Sequence, residues 1–78
     1  MPTVARIGPY RFFFFSNEGT ESPHIHVQRE RRLAKFSLDP VTLVSSTEFA
    51  AHELGVLIRM VAEHRGQFLE AWHAFFGG

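Results

Sequence analysis

His24-Ile25-His26-Val27-Gln28-Arg29-Glu30-Arg31-Arg32-Leu33-Ala34-Lys35-Phe36-Ser37-Leu38 reads as two strands around a charged tip. Apolar residues alternate with polar ones on both arms, which is the period of a half-buried strand. A four-residue tip, Glu30 to Leu33, pairs Arg29 with Ala34 and puts Ile25 and Val27 on one face with Phe36 and Leu38. A tip one residue shorter mixes those faces, which burial penalises. The preferred register gathers His24, His26, Gln28, Lys35 and Ser37 on the opposite face.

Upstream, Thr3 to Ile7 and Tyr10 to Ser16 are β-branched or aromatic runs joined by Gly8-Pro9, a hairpin signal. A two-residue turn there sets Ile7 against Tyr10, Arg6 against Arg11 and Ala5 against Phe12. Asn17 to Pro23 is a loop rich in turn-forming residues. Downstream, Asp39-Pro40 ends the strand, and Val41 to Ser45 is either a short extra strand or an extended connector. Ser46-Thr47-Glu48 has the form of a helix start, with Ser45 or Ser46 as cap and Glu48 near the positive helix end. Leu54, Leu57, Ile58, Val61, Phe68, Trp72, Phe75 and Phe76 then share one stripe at roughly 100° per residue. The phase is kept across Gly66, so the sequence allows one long helix or two with a bend at His64 to Gly66, and Gly77-Gly78 is a natural stop.

These elements predict an α+β fold. An antiparallel sheet of about four strands, in two hairpins, is followed by a C-terminal helical segment packed on one face. The 78 residues are read as a single domain, and 45% apolar content with nine phenylalanines suffices to fill its core. The buried face carries Tyr10, Phe12, Phe14, Ile25, Val27, Phe36 and Leu38, and the other carries Arg6, Arg11, Phe13, Phe15, His24, His26, Lys35 and Ser37. Eight basic and eight acidic residues cancel, which argues against generic coating of polyanions but leaves room for a local patch. The absence of cysteine excludes disulfides and thiolate metal sites and fits the cytoplasm, as does the lack of a signal-peptide or membrane-spanning run.

Residues two apart on a strand point the same way, so His24 and His26 project together. As transition-metal (zinc) ligands they need at least one more donor, from Glu18, Glu21 or Asp39. As an acid–base pair with Lys35 steadying phosphorane charge, and Glu18 orienting one imidazole, they suit metal-independent RNA cleavage. They also suit a purely structural role, hydrogen-bonded to the loop that holds Asn17 and Glu18. Arg6, Arg11, Arg29, Arg31, Arg32 and Lys35 make either a nucleic-acid-facing surface or an ordinary solvated one. Phe13 and Phe15 lie on a face with no helix left to cover it, which calls for a partner protein or a second copy. Glu70, His73, His52 and Glu63 are explained by a solvated helix face, and no Ser–His–Asp order or Gly-rich phosphate loop is present.

The chain resembles a bacterial family known as domain of unknown function 4160. The resemblance is carried by Pro2-Thr3-Val4, Arg6-Ile7, Tyr10 to Phe14, Ser16 to Gly19, Pro23 to Val27, Ala34-Lys35-Phe36, Leu38-Asp39-Pro40, Leu69 to Trp72 and Phe76. It implies a gene layout similar to toxin–antitoxin pairs, and hence a cytoplasmic protein partner and action on RNA or on its own operon. The chain departs from that pattern at Phe15, where the family more often has tyrosine, and at the basic Arg31-Arg32 tip. The expected function is therefore an interaction module of such a pair, with the RNA-cleaving and metal-binding readings as alternatives.

Overall fold

The computed structural model describes residues 3–77; Met1, Pro2 and Gly78, which the sequence reading put in the opening run and the final stop, lie outside the described residues. The elements run β1 (Thr3–Ile7), β2 (Tyr10–Phe13), β3 (His24–Arg29), β4 (Arg32–Leu38), β5 (Val41–Thr47), α1 (Ala51–Glu63) and α2 (Arg65–Phe76). The strands form one antiparallel sheet in the order β1-β2-β3-β4-β5, each beside its predecessor. Both helices pack on one face, where Phe12, Phe14, Ile25, Val27, Phe36 and Leu38 meet Leu57, Val61, Phe68 and Trp72. Among the described residues no helix is long and apolar enough to cross a membrane.

The first hairpin has the expected pairs, Ile7 with Tyr10, Arg6 with Arg11 and Ala5 with Phe12. Gly8 takes a positive φ of 57° in its turn, a conformation open to glycine at little cost. β2 stops at Phe13 rather than Ser16, because the Glu18 N–H bonds back to the Phe15 carbonyl and turns the chain. The β3–β4 tip is corrected: Arg29 pairs with Arg32, so only Glu30 and Arg31 form the turn, with Glu30 at φ 55°. The shift from the expected register is even, so every side chain keeps its face: Ile25 opposes Phe36 and His26 opposes Lys35.

β5 is a full strand through Thr47, which takes Ser45 and Ser46 out of contention as helix caps. The helix starts later, with Ala50 at the N-cap position and no side-chain cap. Glu48 adopts a positive φ of 67° in the connection, and the acid in the first helical turn is Glu53. The helical segment is two helices, broken at His64, whose φ and ψ are −102° and 11°. The His64 Nδ1–H donates to the Met60 carbonyl at 2.9 Å, beside the backbone bond from His64 N–H to the same oxygen. A side chain competing for an i−4 carbonyl is an ordinary cause of a helix bend. The apolar stripe survives the break except at Phe75, which is exposed.

Two polar links set how the helices sit on the sheet. Arg65 donates to the Leu38 carbonyl at 2.7 Å and to the Asp39 carboxylate at 3.0 Å, tying the start of α2 to the end of β4. Glu53 accepts from the Tyr10 hydroxyl at 2.8 Å and from Arg29 at 2.9 Å, tying α1 to β2 and β3.

Candidate metal centre

The connection from β2 to β3 folds back so that Glu18 lies beneath both histidines. The Phe15 N–H donates to Glu18 Oε1 at 3.0 Å while the Glu18 N–H donates to the Phe15 carbonyl, and this reciprocal pair fixes the carboxylate. Glu18 Oε2 is 2.8 Å from His26 Nε2 and 2.9 Å from His24 Nε2. One ligand atom from each of Glu18, His24 and His26 lies within 4.8 Å of the others.

Aromatic rings make up much of the surroundings, closely around His24 and more openly around His26. His26 stacks on Phe13 with ring centroids 5.4 Å apart and takes the edge of Phe15 at 4.7 Å. His24 packs against Trp72 at 4.9 Å and is only 3% exposed. Burial raises the Glu18 carboxyl, but the two imidazoles and the Phe15 N–H outweigh it and hold the group below its ordinary range. Burial holds His26 below the ordinary imidazole value despite the opposing pull of Glu18, which leaves the ring neutral at neutral pH.

Proton placement makes His24 the informative member. Its Nδ1 is 2.9 Å from the Ser22 carbonyl, which only accepts, so Nδ1 carries the proton. Its buried Nε2 has no hydrogen-bond partner: Glu18 Oε2 is close but not aligned for a hydrogen bond. The nitrogen is thus buried within contact distance of a carboxylate oxygen and has no hydrogen bond to it. Such a pair is reconciled by a second proton or by a cation between the two atoms.

Of the possible third donors, Glu18 joins the histidines. Glu21 Oε1 is 3.9 Å from His24 Nδ1 and is bound by Lys35 at 3.1 Å, and Asp39 is held by Arg65 elsewhere. Lys35 opposes His26 across β3–β4. The basic residues do not converge. Arg29 and Arg32 turn to Glu53 on the helix side, Arg31 is exposed at the tip, and Arg6 is exposed on β1. Arg11, facing Arg6, donates to Thr3 Oγ1 and Gln28 Oε1 and lies 4.6 Å over the Phe13 ring. The expectation that Phe13 is uncovered is corrected: it is 2% exposed, because Arg11, Phe15 and His26 cover it within the chain. Phe15 remains 39% exposed.

Sequence reasoning did not foresee that one carboxylate touches both imidazoles, or that Trp72 reaches His24. The available signal was an acid in a Gly- and Pro-containing loop just ahead of two same-face histidines.

Residues 10–73 match the family model described as Domain of unknown function (DUF4160), and the chain belongs to that family. No curated protein and no solved structure matches it.

Proposed function

We propose that this protein binds one divalent transition-metal ion of the zinc class through Glu18, His24 and His26. The observation that carries the reading is the buried Nε2 of His24, which lacks a hydrogen bond and lies within 4.8 Å of ligand atoms of a carboxylate and a second imidazole. Two imidazoles and one carboxylate are an ordinary donor set for zinc, with bonds of about 2.0–2.2 Å. Tetrahedral ligands at that range stand about 3.3 Å apart, so the 2.8 and 2.9 Å contacts need open by only about half an ångström. The ion replaces the proton that His26 Nε2 shares with Glu18. The Ser22 carbonyl supports the site from outside by fixing the His24 tautomer, the usual work of an outer partner.

The same geometry weighs against cleavage of RNA by His24, His26, Lys35 and Glu18. A general acid or base must reach the substrate, and His24 is buried with both ring nitrogens turned to the chain itself.

The test is a calorimetric zinc titration of the purified, metal-stripped chain, with elemental analysis of the loaded protein. One equivalent should bind, with binding lost in His24→Ala and His26→Ala and at least about tenfold weaker in Glu18→Gln. A folded wild type with no saturable binding, or a His24→Ala variant that binds as wild type, overturns the reading.

A second reading concerns partners. Phe15 and Leu33, both exposed, line one groove with Lys35 and residues 45–47. This supports the chain as an interaction module of a toxin–antitoxin-like pair, as the family resemblance implies. Co-expression with the neighbouring gene product tests it: Phe15→Lys should abolish co-purification, and failure of the wild type to co-purify removes the idea.

A further inference from the structure

The two edges of the sheet differ in how they are defended. An edge strand exposes a row of unpaired N–H and C=O groups, and proteins blunt it with charge, proline or irregularity. β1 carries Arg6, has a register irregularity between Thr3 and Ala5, and is followed by Pro9. β5 pairs with β4 on one side only, and all of its residues except Val41 are exposed. Its sequence, Val41-Thr42-Leu43-Val44-Ser45-Ser46-Thr47, holds no charged residue and no proline. The irregularity it does have, opposite Lys35 and Phe36, leaves Val44 without a partner in β4. That bulge adds an exposed aliphatic side chain to the edge rather than a charge: Leu43 is 41% and Val44 55% exposed.

We infer that β5 pairs with β5 of a second copy, antiparallel across a two-fold axis near Val44. The lack of charge on β5, with two general arguments, favours an identical strand over a foreign one. An antiparallel edge presents its donors and acceptors in an order that its own two-fold copy satisfies. A strand with no charge meets its copy without Coulomb penalty, and the formal net charge of the whole chain is zero. A foreign strand would be selected by complementary charge, and β5 offers none to read. The pairing makes one continuous sheet through two copies and covers Leu43 and Val44. It does not depend on the metal site.

The chain has no cysteine, so Val44→Cys introduces a single thiol whose crosslinking reports the contact directly. On mild oxidation this variant should form a disulfide-linked dimer, while Glu70→Cys, exposed on α2, should not. In sedimentation at tens of micromolar the wild type should be a dimer. Val44→Lys should weaken dimerisation by about tenfold or more, since it faces two lysines across the axis and removes apolar contact, with an unchanged circular dichroism spectrum. A wild-type monomer across that range, or Val44→Lys dimerising like wild type, overturns the inference. So does a wild-type chain whose β5 is taken up only by a different protein. If Val44→Lys fails to fold, the crosslinking contrast between Val44→Cys and Glu70→Cys decides alone.

Discussion

The imidazole of His24 lies against the indole of Trp72, with ring centroids 4.9 Å apart. The first residue of β3 and the last full turn of α2 therefore share one contact, and events at the candidate metal centre register in the core. Trp72 is the only tryptophan in the chain, so the indole emission comes from this one residue, which also packs on Phe14 and Phe76.

Cobalt titration should quench Trp72 emission saturably at one equivalent, and His24→Ala should abolish the saturable phase. A linear, collisional response that is identical in both proteins would show that no ion is held beside the indole.

Gly19 is the weak point of the loop that carries Glu18. A Cβ built there falls 2.8 Å from Phe76 Cδ1, closer than side chains pack. Gly19→Val should push the loop off the end of α2 and lower the melting temperature by several degrees, more than Glu18→Gln lowers it. Calorimetry of both variants side by side checks the order. The clash is with a ring near the chain end, so Gly19→Ala should have the same sign and a smaller size.

Acid sensitivity should concentrate partly at Glu53. The Tyr10 hydroxyl, and then Arg29 and Arg32, hold its carboxyl below the ordinary range against the opposing effect of burial. A carboxyl lowered in the folded state stabilises the fold fully above its unfolded value of about 4.3, and that contribution fades as pH falls through the folded value. Glu53→Gln should therefore be less stable than wild type near neutrality, and the gap should narrow as the pH drops below about 4. Urea melts at several pH values measure it. A gap that widens on acidification would contradict the ion-pair account.

Phe68 stacks on Phe12 with centroids 5.1 Å apart, and both are fully buried. Phe68→Ala should cost about 3–5 kcal/mol, a large share of what a domain of this size has. Loss of a cooperative thermal transition at room temperature is the expected reading. Gly55→Ala should do the opposite, gaining about 0.5–1 kcal/mol, since a Cβ there meets nothing within 4 Å.

The chain writes some of this plainly and some not at all. Gly8-Pro9 leaves so few turn geometries that the first hairpin is readable pair by pair. The second hairpin is readable only by parity: a tip misjudged by two residues still sends Ile25 and His26 to their correct faces. Parity says where Phe13 points but not what lies over it, and Arg11 and His26 reach across from the same face to cover the ring. The helix start misleads because serine and threonine suit both a cap and an exposed strand, and pairing with β4 decides for the strand. Glu18 is hidden because a loop has no period. Its place depends on the Phe15 turn, which only the folded backbone defines.

The sheet is a plain meander, each strand lying beside the one made just before it. Its contacts close short loops, the kind of topology that folds fast. During synthesis every strand emerges with its neighbour already in place, while the apolar cover arrives last. Until α1 and α2 leave the ribosome, Phe12, Phe14 and Phe36 face solvent, and the nascent chain passes through an interval of exposed aromatic surface. Truncation ahead of Phe68 makes that interval permanent, so stalled or clipped chains are the form of this protein most prone to aggregate.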